Sequence, residues 1–314
     1  MNKRYGNILI VSVTILVLSF VAAASATTWS VDGSGGDADF TGIQDAINNA
    51  TDGDTILVHF GVYYENVVVN KSVTLIGNGQ PVVDAGGEGN AITLTADGTT
   101  LEGFTATKAG SSWQDTDAGI TLISNNNTIT GNNASNNNRD GIDLDYSNNN
   151  TITGNNVSNN NEGGIELYDS CNNNNITGNN VSSNNVKGIC LSFSCNNNTI
   201  TGNNVCNNNR GGIELDDSSN NTIYFNNFIN NTDNVYFYTS INIWNSPFEI
   251  TYTYDGTTYK SYVGNYWSDY NGTDAEGDGI VDTNYSIDSE EDESDVYPLM
   301  QPFENYNIST SAYT

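Results

Sequence analysis

Two motifs that recur every 22 to 24 residues constrain the fold of this chain more than any other feature. The motif N-x-I-T-G-N around Ile129 returns around Ile152, Ile176 and Ile200 and, weakened, around Ile223, at intervals of 23, 24, 24 and 23 residues. A second motif, G-I-x-L, starts at positions 119, 141, 164, 188 and 212. Two motifs in fixed phase indicate a structural repeat rather than a disordered tract, although 38 of the 108 residues from 125 to 232 are Asn.

Each repeat has the periodicity of short β-strands. Ile142 and Leu144 flank Asp143, so alternate side chains point inward and outward. Asn and Gly close each strand, and both tolerate the left-handed conformation of tight bends. Because the few apolar residues of one coil cannot offset the entropy of ordering it, coils must stack. The sequence predicts an all-β, right-handed parallel β-helix with three strands per coil and an inward ladder at Asn132, Asn155, Asn179 and Asn203.

The two ends of the solenoid are predicted to be capped. Phe40, Ile43, Ile47 and Ala50 form one helical stripe, which predicts an N-terminal capping helix. Beyond residue 240 the repeat gives way to an aromatic and acidic segment that we expect to cover the other end. The predicted organisation is a signal peptide (1–26), a cap with the first coils (27–110), Asn-rich repeats (111–240) and a C-terminal cap (241–314).

The start of the chain and its charge indicate export. Lys3 and Arg4 precede an apolar run that ends in an A-x-A cleavage pattern at residue 26. An uncleaved anchor is the alternative; after signal removal no second membrane span is expected. The formal net charge of -29 makes nucleic acid and anionic membranes poor partners. N-x-S/T sequons predict a secreted or cell-surface glycoprotein; the alternative is that most of them are by-products of the repeat in which they lie.

Several stretches resemble NosD-like β-helix proteins of the pectin-lyase fold, also described as carbohydrate-binding and sugar-hydrolase (CASH) domains. D-F-x-x-I-x-x-A-I from residue 39, G-D-T-I from 53, G-V-Y-x-E-N from 61 and K-S-V-T-L-I-G from 71 resemble their cap and first coils. G-N-Y-W-S-D-Y from 264, G-D-G-I from 277 and Y-P-L-M from 297 are similar to the closing module of such proteins on archaeal cell surfaces. The resemblance implies a surface protein, a polysaccharide-processing enzyme or a copper-linked maturation factor.

One outward column of the repeat carries the candidate chemistry. The middle residues of successive G-I-x-L motifs are Asp143, Glu166, Cys190 and Glu214, and Asp216 follows nearby. Coils about 4.8 Å apart would bring their carboxyl groups within the spacing of about 5 to 9.5 Å that glycosidases use. The four acids are the catalytic candidates. The same column could instead be a solvated, charge-balanced face or a groove for sugar or cations.

Charged residues beside this column are the candidate substrate-binding residues. They are Arg139, Asp145, Asp169, Arg210 and Asp217. Lyase or epimerase chemistry on uronates requires cationic or metal neutralisation of a carboxylate, yet the whole chain has only eight Lys and Arg. The enzymatic interpretation is correspondingly weaker.

Cysteines and one acidic loop are the candidate covalent and metal sites. Cys171 and Cys195 occupy matching positions in adjacent coils, which predicts either stacked structural cysteines or one disulfide. One His, His59, and few Met do not suggest copper. The loop D-A-E-G-D-G-I-V-D from residue 274 has acids at positions 1, 3, 5 and 9 of a calcium loop, but position 12 is Tyr285. The calcium ligands would be Asp274, Glu276, Asp278 and Asp282; an ordinary acidic turn is the alternative.

The sequence therefore favours a non-catalytic surface or secreted glycoprotein that binds carbohydrate or a cell-envelope glycan. The alternatives are a polysaccharide hydrolase or lyase using the acidic column, and a purely structural spacer.

Overall fold

The computed structural model describes residues 26–112, 116–288 and 293–308. The predicted signal peptide, apart from residue 26, lies outside the described residues. Within them, no helix is long and apolar enough to cross a membrane.

The described chain consists almost entirely of short strands. Those of the N-terminal half are β1 (Thr28–Val31), then the helix α1 (Ile43–Asn49), β2 (Thr55–His59), β3 (Val62–Tyr63), β4 (Val67–Val69), β5 (Thr74–Asn78), β6 (Val82–Asp84), β7 (Ile92–Leu94), β8 (Thr100–Glu102), β9 (Thr105–Thr107), β10 (Ala118–Leu122), β11 (Thr128–Thr130), β12 (Asn133–Ser135), β13 (Asp140–Asp145), β14 (Thr151–Thr153) and β15 (Asn156–Ser158). Those of the C-terminal half are β16 (Gly163–Tyr168), β17 (Asn175–Thr177), β18 (Asn180–Ser182), β19 (Lys187–Ser192), β20 (Thr199–Thr201), β21 (Asn204–Cys206), β22 (Gly211–Asp216), β23 (Thr222–Tyr224), β24 (Asn227–Ile229), β25 (Asp233–Tyr238), β26 (Ile250–Tyr254), β27 (Thr257–Ser261), β28 (Tyr266–Trp267), β29 (Tyr285–Asp288), β30 (Glu293–Asp295), a 3-10 helix (Phe303–Asn305) and β31 (Asn307–Ile308).

These strands form three long parallel sheets, so the chain is a right-handed parallel β-helix as predicted. Sheet A runs β1-β2-β5-β8-β11-β14-β17-β20-β23, and sheet B runs β3-β6-β9-β12-β15-β18-β21-β24-β28. Sheet C runs β4-β7-β10-β13-β16-β19-β22-β25. Each coil passes through A, B and C in turn. Equivalent repeat residues are therefore stacked in register, for example Ile129 on Ile152 and Ile152 on Ile176.

The core of the solenoid is the inward face of these sheets. In one coil Ile152, Val157, Ile165 and Leu167 are fully buried, as their spacing predicts. Gly141 shows how tightly the strands approach one another, because an added Cβ would lie 2.3 Å from a Val157 methyl group and 2.9 Å from the Gly164 carbonyl oxygen. The glycine of each G-I-x-L motif therefore allows sheet C to lie close against sheet B.

Buried asparagines form three ladders along the solenoid, one of which the sequence predicted. In the predicted ladder the Asn155 backbone N–H donates to Asn179 Oδ1 at 2.9 Å, and Asn155 Nδ2 donates to the Ile129 carbonyl at 2.9 Å. Each side chain thus satisfies backbone groups at the bend that the sheets leave unpaired. The members are Asn127, Asn150, Asn174, Asn198, Asn221 and Asn242; Asn132, Asn155, Asn179, Asn203, Asn226 and Asn265; and Asn137, Asn160, Asn184, Asn208 and Asn231.

Apolar and aromatic groups close the two ends. The helix α1 buries Ile43, Ala46 and Ile47 against the first coils. At the other end, Trp267 stacks on Phe228 with ring centroids 4.6 Å apart and belongs to the solenoid core. Beyond it, β26, β27 and β31 form an antiparallel sheet that packs around a second apolar cluster.

Candidate functional site on the outward face of sheet C

The predicted acidic column exists on the outward face of sheet C. Thr121 pairs in register with Asp143, Asp143 with Glu166, Glu166 with Cys190, and Cys190 with Glu214. The column forms because all five are the middle residue of the same motif. Parallel pairing places such residues one above another. Three of the four catalytic candidates, Asp143, Glu166 and Glu214, therefore share one row, and Asp216 lies two residues beyond it.

The column is not the solvated face that the sequence suggested. Asp143 is 1% exposed, Glu166 is 5% exposed and Cys190 is fully buried, whereas Glu214 is only partly buried. The prediction of a solvated row was wrong at these three positions. The long side chains of Arg139 and Lys187, contributed by neighbouring coils, lie among the acids instead of extending into water.

These cations tie the column into a closed ionic cluster. Lys187 Nζ donates to Glu166 Oε1 at 2.9 Å and to Cys190 Sγ at 3.2 Å. Arg139 Nε lies 3.1 Å from Asp140 Oδ2, and its guanidinium reaches to 4.0 Å from Glu166 Oε2. The other Asp140 oxygen accepts the Gly163 backbone N–H at 2.8 Å. Glu166 therefore lies between two cations, and both of its carboxyl oxygens interact with side chains of the protein.

Asp143 is the exception within this cluster. Neither of its carboxyl oxygens has a hydrogen-bond partner among the described residues. Burial, and then the nearby Glu166 and Asp140 carboxylates, raise the pKa of Asp143 well above its ordinary value. Burial also raises the pKa of Asp140, and it raises that of the Cys190 thiol to about 12. For Lys187 burial lowers the pKa, but Cys190 and Glu166 outweigh it, so the net shift is upward.

Beyond the buried column, the end of each sheet C strand remains accessible. Asp145 is paired in register with Tyr168, Tyr168 with Ser192, and Ser192 with Asp216. Asp145, Asp169 and Asp216 are half-buried and Asp217 is exposed. Burial and the Asp169 carboxylate raise the pKa of Asp145. These four predicted residues therefore lie on an open surface, in contrast to the column itself.

Sequence reasoning missed the aromatic residues that accompany these acids. Tyr146, Tyr168 and Phe193 are exposed at the corner that follows sheet C. They occupy the same two repeat positions as Asp145 and Asp169, so aligning the repeats at this corner would have found them. Arg210, predicted to contact substrate, instead has its guanidinium 4.8 Å from the centre of the Tyr236 ring.

Of the two arrangements predicted for Cys171 and Cys195, the structure has stacked cysteines and no disulfide. Cys171 and Cys195 are stacked in adjacent coils but are both free thiols. The Cys171 backbone N–H donates to Cys195 Sγ at 3.3 Å, as the Cys195 N–H does to Ser218 Oγ at 3.1 Å. Side chains stacked at coil spacing have Cβ atoms about 4.8 Å apart, beyond the range of about 3.5 to 4.5 Å that a disulfide adopts. The cysteines thus take the place of serine in a polar ladder.

The acidic loop of the cap brings together three of its four predicted ligands. Oxygens of Asp274, Glu276 and Asp282 lie within 4.8 Å of one another, while Asp278 Oδ1 accepts the Ile280 N–H at 2.8 Å. A hydrogen bond that Glu276 donates to Asp282, together with the charge of Asp282, raises the pKa of Glu276. The residues present are hard oxygen donors of the type that calcium prefers. Calcium binding here stays a prediction.

The fold, its asparagine ladders and its stacked outward column define this chain as a right-handed parallel β-helix protein. A family model described as periplasmic copper-binding protein (NosD) matches residues 47–272, which is more than two thirds of the chain. The chain belongs to the NosD family.

Known proteins resemble parts of the chain. A segment of 68 residues, 21% of the chain, is 46% identical to a cell surface glycoprotein of Methanothermus fervidus, and it spans 12% of that protein's length. The crystal structure of pectate lyase Pel9A matches with a TM-score of 0.54 and 18% identity over 65% of this chain and 63% of that one. The A-module of mannuronan C-5 epimerase AlgE4 from Azotobacter vinelandii matches with a TM-score of 0.46 and 18% identity, over 60% and 68%. At such identities the likeness to the lyase is one of fold alone.

The family description mentions copper, but the described residues do not fit a copper site. Copper favours imidazole, thiolate and thioether ligands. His59 ends β2 near the N-terminus, Met300 lies in the C-terminal cap, and Cys171 and Cys195 are engaged within the core ladder. Among the described residues, the one group of three potential ligands that converges is the all-carboxylate set of the acidic loop.

Proposed function

We propose that this chain is a non-catalytic protein of the cell surface that binds carbohydrate of the envelope along the outward faces of its solenoid. Membership of a family described as periplasmic supports an exported location, as does the partial match to an archaeal cell surface glycoprotein. The shared fold of a pectate lyase supports carbohydrate as the ligand class. Solenoid faces present repeated groups at a fixed spacing, which suits a polymer of repeated sugars.

The closure of the acidic column is the observation that carries the non-catalytic assignment. A glycosidase needs one carboxyl group to protonate the glycosidic oxygen and a second to act as nucleophile or base, both in contact with the sugar. Asp143 and Glu166 are at most 5% exposed, and Glu166 is held by Lys187 at 2.9 Å. A sugar oxygen would have to displace this ion pair to reach Glu166, and burial alone closes off Asp143.

The rival function is hydrolysis or elimination on a polysaccharide, and one observation favours it. Buried acids with raised pKa values, such as Asp143 and Asp140, are frequent at catalytic sites because a general acid must be protonated near neutral pH. Structural ion-pair clusters raise pKa values in the same way, however. The rival therefore depends on turnover, which can be measured directly.

A turnover screen separates the two functions. The purified protein is incubated with neutral, amino-sugar and uronate polysaccharides, and reducing ends and unsaturated products are both measured. We expect no product above a heat-denatured control. Turnover that is lost in Asp143→Asn or Glu166→Gln, and retained in the exposed control Glu102→Gln, would refute the non-catalytic assignment.

A binding screen separates the proposed function from a purely structural spacer. The same polysaccharides are tested for binding by isothermal titration calorimetry. We expect at least one class to bind with saturable stoichiometry. A protein that binds none of them at any accessible concentration would be a spacer, and the proposed function would fall.

A further inference from the structure

An exposed row of aromatic side chains runs along the corner between sheets C and A. Tyr146, Tyr168, Phe193 and Tyr238, here called the aromatic strip, are 59%, 37%, 45% and 62% exposed. They come from four of five consecutive coils and end the strands β13, β16, β19 and β25 or follow them directly. Four large aromatic groups on one edge exceed the scattered exposure that is normal for a soluble surface.

Two aromatic residues at this corner have a backbone conformation that is unfavourable for bulky side chains. Tyr146 and Phe193 have φ of 49° and 59°, a left-handed conformation that bulky residues avoid. At the corner between sheets B and C the same conformation is held by Asn, for example by Asn136 and Asn159 with φ of 58° and 56°. Asn therefore suits such bends in this solenoid, yet Tyr146 and Phe193 occupy them at this corner.

Packing accounts for one other strained aromatic but not for the strip. Phe225 also has a positive φ, of 58°, and its ring lies 5.4 Å from that of Phe303 in the C-terminal cap. Tyr146 and Phe193 cover no comparable core, since they remain largely exposed. The strip is thus presented to the solvent rather than buried by the fold.

The strip is held in a fixed arrangement before any ligand arrives. The Tyr168 and Phe193 rings meet edge to face with centroids 5.2 Å apart. The Tyr146 hydroxyl donates to Asp169 Oδ2 in the next coil. The first and last coils of the strip are four coil steps apart, which corresponds to about 19 Å at about 4.8 Å per step. This length suits a short run of sugars, whose C–H faces stack on aromatic rings.

Four carboxylates interleaved with the rings determine which sugars fit. Asp145, Asp169, Asp216 and Asp217 occupy the remaining positions of the same corner, and Ser192 and Thr239 complete it. None of these ten corner positions is Lys or Arg. A uronate polymer, which carries one negative charge per sugar, would meet this surface with like-charge repulsion. Ammonium and hydroxyl groups, in contrast, would donate to the carboxylates.

We propose that the aromatic strip binds a glycan rich in sugars with free amino groups, whose rings stack on Tyr146, Tyr168, Phe193 and Tyr238 and whose ammonium groups contact the interleaved aspartates. This inference rests on the proposed carbohydrate-binding function and adds its location and ligand class. It also distinguishes this chain from the pectate lyase that shares its fold, because pectate is a polymer of uronates.

The test compares four length-matched probes by calorimetry at two salt concentrations. The probes are a glucosamine oligomer with free amines, its N-acetylated form, an oligogalacturonate and an oligolysine. We expect the free-amine oligomer to bind most tightly, the N-acetylated form more weakly and the oligogalacturonate not at all. Raising the salt should weaken the first more than the second, because only the first has ammonium–carboxylate contacts to screen.

Variants locate the binding on the strip. Phe193→Asn installs the residue that holds this conformation elsewhere, so the fold and melting temperature should be retained while affinity falls about tenfold. The control Phe60→Asn removes another exposed aromatic, at the bend between β2 and β3 in the first coils, and should leave affinity unchanged. Asp169→Asn with Asp217→Asn should also weaken binding about tenfold. The control pair Glu88→Gln with Glu102→Gln removes the same charge elsewhere and should not.

Each contrary outcome has a distinct meaning. Equal or tighter binding of oligogalacturonate would overturn the ligand class, and tighter binding of oligolysine would assign the strip to a basic protein partner instead. Glycan binding that no strip variant weakens would overturn the location while leaving the proposed function intact. Failure of every glycan to bind would overturn the proposed function together with this inference.

Discussion

Replacing Asn179 with Ala should remove one rung of the central asparagine ladder. The Asn179 side chain makes four hydrogen bonds: it accepts from the Asn155 N–H and Nδ2 at 2.9 and 3.0 Å, and donates to the Ile152 carbonyl and Asn203 Oδ1 at 2.8 and 3.0 Å. At about 0.5 to 1.5 kcal/mol for each of these bonds, the variant should lose about 2 to 6 kcal/mol of unfolding free energy. The loss is large because the residue is 1% exposed, so water cannot replace the partners.

The assay combines urea denaturation with hydrogen exchange. Asn180→Ala is the matched control, because it removes the neighbouring but exposed Asn, whose amide donates to Asn156 Oδ1 at 2.8 Å. We expect the control to cost less than about 1 kcal/mol. Hydrogen exchange should show that the Asn155 amide loses protection in Asn179→Ala alone. Equal destabilisation by the two variants, or an Asn155 amide that stays protected, would refute the claim that the ladder stabilises the stack.

Three further predictions address the buried acids, the thiols and the acidic loop. Because burial raises the folded-state pKa of Asp143 above its unfolded value, its favourable contribution is complete below about pH 4 and is lost as the pH rises through the folded pKa. Asp143→Asn should therefore be more stable than the native chain at pH 8 but not at pH 4. Thermal melts that show the same difference in melting temperature between the two proteins at both pH values would contradict this. Cys171→Ser should melt within a few degrees of the native chain, because Cys171 accepts the Ser147 N–H at 3.2 Å much as a serine would. A reductant should change the melting temperature of neither protein. A large fall in the melting temperature of the native chain with reductant would show that a disulfide is present after all. Calcium at about 100 times its dissociation constant should add about 2.7 kcal/mol of stability. Asp282→Asn should abolish this gain, and a melting temperature that ignores both calcium and chelator would reject the site.

The architecture was predictable because the repeat imposes it. Two motifs in fixed phase determine the coil length, and parallel stacking then determines the register, so the alignment of Asp143 on Glu166 follows from the sequence. The ladder at Asn155 and Asn179 follows too, because an inward Asn at a bend has backbone groups of the next coil within reach.

Burial and pairing between coils were not predictable in the same way. Alternation marked Glu166 as outward, but it is buried because Lys187 from the next coil lies against it, and the packing of a long side chain has no sequence period. The matching positions of Cys171 and Cys195 correctly indicated stacking, but they could not decide between free thiols and a disulfide. Stacking in register separates the two side chains by one full coil step, which favours free thiols. The aromatic groups at Tyr146 and Phe193 carried a sequence signal, since the equivalent bend positions of the other coils are the small polar residues Asp169, Asp217 and Thr239.

Titration of the protein with the free-amine glucosamine oligomer, followed by mass spectrometry of the recovered sugar, tests the central claim most directly. The account predicts saturable binding, weakened about tenfold in Phe193→Asn, and an oligomer recovered with unchanged mass and length. Recovery of shortened or unsaturated products, lost in Asp143→Asn, would contradict it.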